Sequence, residues 1–223
     1  RVNIAVVETL AERRIIDDNT PWPEKLAFME KEAKRTGFDV FAFADLNGNS
    51  VRFNPARDTA KVSDRDYYIR AMQGISTYSS VFISRVTQLP SVSVAAPVKR
   101  DGKIIGILYG IRDGNEISSL VEKVKIGETG YAYVVNKEGT AQGHKNSKLV
   151  TGMYNPIKAS AEDKSVLPLA EMMKKAISGQ KAVAQYFFGG KDIFGSYAPI
   201  ADTDGWSVVL AMELNEILSE VNR

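Results

Sequence analysis

Few side chains of this chain have the type and spacing to run a reaction. His144 is the single histidine among 223 residues and cysteine is absent, which excludes H-E-x-x-H metal motifs, thiol nucleophiles, disulfides and cysteine-based zinc or iron–sulfur sites. No G-x-S-x-G elbow presents a serine to His144. Neither a Walker loop nor a G-x-G-x-x-G fingerprint occurs, and Gly143-His144-Lys145 reads as a turn. Carboxylate pairs of the glycosidase kind need not be close in sequence, and nothing points to one. What remains is a binding inventory. In Arg65-Asp66-Tyr67-Tyr68 a planar cationic fork, able to give a carboxylate two parallel hydrogen bonds, stands beside rings that can bury the apolar part of a small ligand. Arg65 has a plainer reading too, as a solvated or Asp64-paired helix residue. Tyr67 and Tyr68, adjacent on a helix, cannot face the same way, so one of them can be core.

The elements that must position these residues belong to an ordinary globular chain. Hydrophobic residues make up 44% and charged residues 25%, against disorder, collagen or coiled coil. With 29 Lys and Arg against 27 Asp and Glu, the net charge is +2. No segment concentrates basic residues with interleaved aromatics, so nucleic acid is not an expected partner. No run approaches the roughly eighteen apolar residues of a membrane span and no signal peptide opens the chain. No cofactor and no metal site is expected.

Val2, Val6, Leu10 and Ile15 fall near helical spacing. Asp18-Asn19-Thr20-Pro21 breaks that helix and supplies an N-cap and a first-turn proline for a second one, from Pro23 through Lys34 to a stop at Gly37. The period then changes to two. Phe38, Val40, Phe41 and Phe43 lead through Asp45-Leu46-Asn47-Gly48 to Val51 and Phe53, a strand-turn-strand pattern. A short helix is expected from Asp64 to Gln73, then two strands joined by Asp101-Gly102, then a helix from Glu116 to Lys125. The second half repeats the plan. Tyr131-Ala132-Tyr133-Val134 with Asn136-Lys137-Glu138-Gly139 echoes Phe41 to Gly48, and Ala198-Pro199-Ile200, Asp204-Gly205 and Trp206 to Leu210 echo Ala96 to Leu108. A helix from Leu167 to Ile177 bridges the hairpins, Gly189-Gly190 marks a turn, and Glu213 to Val221 reads as an amphipathic helix. Short turns make antiparallel neighbours, so the fold class is α+β, a duplicated unit with helices covering antiparallel sheets.

Asp64-Arg65-Asp66-Tyr67-Tyr68 with Ala71 and Gly74, Ala95-Ala96-Pro97-Val98 with Gly102 and Gly106, Gly127-Glu128-Thr129-Gly130-Tyr131 through Gly139, Tyr197-Ala198-Pro199-Ile200 and Gly205-Trp206-Ser207 together give a resemblance to a family. The chain resembles the double Cache sensor domain of bacterial transmembrane receptors, both chemoreceptors and sensor histidine kinases. The resemblance implies a long N-terminal helix followed by two PAS-like modules, each an antiparallel sheet with covering helices. Residues 1–36 would be the helical entry, 37–126 the membrane-distal ligand-binding module, 127–212 the membrane-proximal module and 213–223 a helix directed toward the membrane. It also implies membrane spans beyond both Arg1 and Arg223, and a location in the periplasm or outside the cell as part of a bacterial inner-membrane protein.

The resemblance further implies a site in the distal module. Arg65 matches a carboxylate-binding arginine, Tyr67 stands where amino-acid-binding members have tryptophan, and Tyr68 matches a tyrosine. Phe82 and Ser84 fall where that pattern has an aromatic residue and an aspartate for the ligand's ammonium. Tyr109-Gly110-Ile111 falls near a second aspartate, for which Asp113 could substitute only with a shift of register. A buried ammonium without a carboxylate is costly, so a small organic acid is favoured, with an amino acid next. Tyr78, Ser84, Ser91 and Ser93 offer neutral hydrogen bonds. Arg85 and Arg112 read as surface. Tyr131, Tyr133, Tyr186 and Tyr197 read as core and turn aromatics of the proximal module.

The expected function is sensing without catalysis: the small-molecule ligand shifts a conformational equilibrium, and the terminal helices pass the change to a cytoplasmic output. A homodimer through the N-terminal helix, using Val2, Val6 and Leu10, stands beside burial of the same stripe against the chain's own modules. A free periplasmic solute-binding protein and a carboxylate-based hydrolase are the rival classes.

Overall fold

The computed structural model describes residues 2–17, 19–201 and 203–221. The Asp18 part of the expected cap and the chain ends at Arg1 and Arg223 lie outside them. The chain divides into two units between Gly114 and Asn115.

In the first unit, α1 (Val2–Glu12) gives way to a 3-10 turn at 14–16 and then α2 (Trp22–Thr36). Helix α2 starts at Pro21 without any side-chain cap, has a proline in its first turn, and ends at Gly37 with a left-handed φ of 75°. The expected polar cap is therefore replaced by the backbone preset of proline. Strands β1 (Val40–Asp45) and β2 (Asn49–Arg52) follow. Their turn is held by the Asp45 carboxylate, which accepts the N–H groups of Asn47 at 2.9 Å and Asn49 at 2.8 Å. Next come β3 (Thr59–Lys61), α3 (Asp66–Met72), β4 (Thr77–Tyr78), β5 (Phe82–Ile83), β6 (Pro90–Arg100) and β7 (Lys103–Asp113). Asp101 and Gly102, at φ 50° and 77°, form the tight β6–β7 hairpin that Asp-Gly favours.

The sheet is antiparallel in the order β3-β2-β1-β7-β6-β4, with β5 also on β6. Side chains alternate across it. Phe41, Val94, Ala96, Val98 and Leu108 pack against Val7, Leu10 and Ala11 of α1 and Met29 and Ala33 of α2. Ala42, Ala44, Ala95, Ile107, Tyr109 and Ile111 face Tyr67, Tyr68 and Ala71 of α3. Leu10 of the apolar stripe is thus used within its own unit, while Val2 stays 78% exposed. Arg100 fastens the hairpin to the end of α1, donating to the Ala11 and Arg13 carbonyls and pairing with Asp17 at 2.7 Å.

The second unit opens with α4 (Glu116–Val121), shorter than expected because Lys125–Ile126 pairs as β8. The sequence places this helix with the first module; in the structure it packs on the sheet of the second unit. Then follow β9 (Gly130–Val135), β10 (Ala141–His144), α5 (Ser147–Thr151), α6 (Pro156–Ala159), α7 (Leu167–Ala176), β11 (Ala182–Phe188), β12 (Lys191–Pro199), β13 (Ser207–Glu213) and α8 (Leu214–Val221). The antiparallel order β10-β9-β13-β12-β11, with β8 on β9, repeats that of the first unit. The turn device repeats as well: Asn136 Oδ1 accepts from the N–H groups of Glu138 at 3.1 Å and Thr140 at 2.9 Å, and Gly139 has φ 81°. This is the mixed fold the resemblance implies, two antiparallel PAS-like sheets with covering helices.

Helix α8 is held by its own carboxylate. Glu216 accepts from the N–H groups of Glu128 at 2.7 Å and Thr129 at 2.9 Å and from the Thr129 hydroxyl. A Cβ on Gly127 would stand 2.0 Å from Glu216 Oε1 and one on Gly130 would stand 2.2 Å from the Ile126 carbonyl oxygen. Gly127 therefore lets the backbone close on that carboxylate, and Gly130 lets it pass the Ile126 carbonyl. The Thr129 hydroxyl and the two N–H groups hold Glu216 below its ordinary value of 4.5. A carboxylate favoured in the folded state contributes above its unfolded pKa and stops contributing as pH falls through the folded one.

Two outcomes test this architecture. Gly106, at φ 156°, has room for no Cβ, which would lie 2.3 Å from the Ala44 carbonyl oxygen; Gly106→Ala should lower stability by about 1–3 kcal/mol in urea unfolding. Amide exchange at Glu128 and Thr129 should accelerate as pH drops below the usual glutamate range, after correction for intrinsic exchange. In Glu216→Gln the acceleration should be present at neutral pH and independent of pH.

Candidate functional site

Helix α3 begins where Arg65 takes an extended conformation, φ −81° and ψ 139°, so its side chain leaves the helix axis as the following tyrosines enter it. The two tyrosines diverge as helical neighbours must. Tyr67, 2% exposed, turns its ring to the sheet, with centroids 5.6 Å from Phe82 and 5.2 Å from Tyr109. Tyr68 points to the β1–β2 turn, its hydroxyl shared between the Asp45 and Leu46 carbonyls at 2.9 Å each.

Arg65, Tyr67, Phe82 and Ser84 line one small cavity together with Arg52, Tyr109 and Arg85. Arg65 donates to the Ile83 carbonyl at 3.0 Å and lies over the Phe82 ring at 4.8 Å, a cation–π contact. Arg52, 8% exposed on β2, donates to Ser84 Oγ at 3.0 Å. The same oxygen accepts the N–H groups of Val86 and Thr87 at 3.3 and 3.2 Å, which organises the 84–89 turn whose Ser84, Arg85 and Val86 line the cavity. Tyr109 bonds to the Ser50 hydroxyl, and burial pushes the phenols of Tyr67 and Tyr109 above their ordinary range. Both are neutral donors at physiological pH.

The three arginines are not equivalent. Arg85 makes a bidentate pair with Asp64, at 2.8 and 2.6 Å, and its hydrogen bonds hold that carboxyl down at about 2. Arg52 and Arg65 meet a hydroxyl, a carbonyl and a ring, but among the described residues neither guanidinium has a carboxylate oxygen within ion-pairing distance. No acidic side chain lines the cavity. Its free volume is about 20 Å³, room for about one water.

The remaining expected residues lie elsewhere in the first unit. Tyr78 packs on the opposite face of the sheet, with α1 and α2. Asp113 is exposed at the end of β7, opposite Ser91. Ser93 shares the site's face of the sheet without lining the cavity; its hydroxyl is fully buried and makes no hydrogen bond of good geometry, although it lies near Tyr67. Sequence reasoning misses Arg52, and it places Tyr109 near the expected second aspartate without giving it a role in the site. Arg52 stands between Val51 and Phe53, where alternation assigns it to solvent; the signal that could have found it is the all-apolar run Val40–Ala44 on the partner strand, which marks a sheet covered on both faces.

Comparison with known proteins supplies the context for this geometry. A Cache domain family model matches residues 6–221. No curated protein matches the chain. Among solved structures, the extracellular domain of histidine kinase mmHK1S-Z3 superposes with a TM-score of 0.76 at 17% identity, over 99% of this chain and 90% of that one. The ligand-binding domain of the Pseudomonas aeruginosa PAO1 amino-acid chemoreceptor PctB, in complex with L-Arg, gives 0.74 at 15% identity, over 98% and 82%. That of the Pseudomonas fluorescens chemoreceptor CtaA, in complex with L-leucine, gives 0.69 at 19% identity, over 96% and 87%. At these identities the likeness speaks for the fold. Among the described residues no helix is long and apolar enough to cross a membrane. With a family model spanning nearly its whole length and a twofold fold to match, the chain belongs to the Cache domain family.

Proposed function

We propose that the chain is the extracytoplasmic sensing domain of a bacterial membrane receptor, and that its first unit binds a small carboxylate without transforming it. The observation that carries this reading is the pair of guanidinium groups, Arg52 and Arg65, on one cavity with no carboxylate partner among the described residues. A partly desolvated cation is costly unless matched, and a ligand carboxylate matches it with charge-assisted hydrogen bonds. Tyr67, Phe82 and Tyr109 supply the ring surface for the remainder of the ligand.

An amino acid is the second reading. The CtaA and PctB structures carry L-leucine and L-Arg, which share the carboxylate with the class favoured here. Their ammonium group needs an acid, whereas Asp64 is engaged by Arg85 and no acid lines this cavity. Membrane location, a homodimer through α1 and output through α8 complete the proposal.

The cavity is too small for a metabolite as packed, so binding selects an arrangement in which the 84–89 turn and Phe82 have moved. A ligand with different affinity for the two arrangements shifts their populations. That displacement is the signal, and it needs no bond-making step. Sensing without turnover predicts that the bound molecule is recovered unchanged.

Calorimetric titration with a panel of organic acids, their carboxamides and amino acids tests the reading. A carboxylate should bind saturably, its carboxamide should not, and Arg52→Ala and Arg65→Ala should each weaken binding about tenfold to a hundredfold. Affinity that survives both substitutions, or a hit list confined to primary ammonium compounds, would sink it.

A further inference from the structure

The second unit contains a larger cavity, of about 270 Å³, close to twice the roughly 150 Å³ apolar cavity that holds benzene in an engineered protein. The sequence reads Tyr131, Tyr133 and Tyr186 as core and turn aromatics; Tyr133 and Tyr186 belong to the core of this unit with Tyr131 packed against it, and all three also line this space. Leu169 and Met173 of α7 and Val135 of β9 are among its apolar walls.

Its walls carry no Asp, Glu, Lys or Arg; the ammonium of exposed Lys145 stands 3.8 Å over the Tyr131 ring without lining the cavity, so a charged ligand would lose its hydration with no charged wall to meet. The polar groups are specific. Tyr133 is 7% exposed and its buried hydroxyl has no hydrogen-bonding partner; Tyr186 is near enough to affect its ionisation but does not meet it in hydrogen-bonding geometry. His144, whose ring centroid lies 5.7 Å from that of Tyr133, accepts the Asn146 N–H at Nδ1 over 2.8 Å. That bond places the imidazole proton on Nε2, which has no partner among the described residues. Burial keeps the ring neutral by lowering its pKa. A buried hydroxyl left unmatched is a standing cost, and two unused polar groups on neighbouring rings can be matched by one ligand oxygen.

We infer that this cavity is a second ligand site, for an uncharged aromatic molecule of one or two rings bearing a single hydroxyl or carbonyl oxygen. The rings of Tyr131, Tyr133 and Phe188 flank the planar part, and the ligand oxygen accepts from His144 Nε2–H and exchanges a hydrogen bond with the Tyr133 hydroxyl. Nothing in this site involves Arg52 or Arg65.

The single histidine makes the test direct. In proton NMR of the whole chain, 2-naphthol should shift the His144 ring resonances saturably and give cross-relaxation with them. In the unmodified protein it should bind about fivefold to tenfold more tightly than naphthalene, and 2-naphthoate more weakly than either. Tyr133→Phe should narrow, without abolishing, the preference for 2-naphthol over naphthalene, because the His144 Nε2–H bond remains, while leaving naphthalene binding unchanged. If that variant does not fold, the comparison of the three probes on the unmodified chain decides the same question. The absence of any saturable shift removes the site; equal binding of naphthalene and 2-naphthol, or tighter binding of 2-naphthoate, overturns the ligand class.

Discussion

A sheet covered on both faces gives its strands no wet side, and the site of the first unit follows from that constraint. Helices α1 and α2 take one face and α3 the other, so the side chains along the middle of β1, β6 and β7 are either core or must find a polar partner away from bulk water. Most positions meet this with aliphatic and aromatic residues. Ser50 and Tyr109 meet it by bonding to each other, and Ser84 by serving Arg52 and two backbone amides. Arg52 and Arg65 are matched in hydrogen bonds but not in charge. Arg85 differs from them in having Asp64, an ion pair of exposed residues worth little on its own.

The two units share topology and turn chemistry yet have diverged in what their helix-covered faces contain. In the first, the cavity is small and cationic, and a turn organised by Ser84 lines it. In the second, the equivalent sheet order carries a larger, uncharged and aromatic cavity. Duplication preserves the backbone solution, because strand order depends on short turns and on burying one apolar face against helices. It places no comparable constraint on the few residues that line a hollow, so function can diverge there at little cost to the fold.

The motif Gly127-Glu128-Thr129-Gly130 illustrates how a family pattern becomes physics. Gly127 is required by a carboxylate of the C-terminal helix that approaches the backbone too closely for a Cβ, and Gly130 by the close approach of the Ile126 carbonyl. The motif is a clasp on α8.

By itself, the sequence determined the α+β class, the internal duplication and the hairpins at Asp101-Gly102 and Gly189-Gly190. These follow from local rules: turn residues that accept left-handed φ and side-chain periods of two and 3.6. The grouping of Arg65 with Tyr67, Phe82 and Ser84 came from the resemblance to a family, and the structure brings those four to one cavity. Only the tertiary structure recruited Arg52 and Tyr109, sent Tyr68 to the β1–β2 turn and Tyr78 to the opposite face, left Asp113 in solvent, moved α4 to the second unit and opened the space beside Tyr133. Each of these depends on which face of a strand is covered, and on which charge finds a partner across many residues of chain. Periodicity says that two faces exist; packing alone says what lies against each.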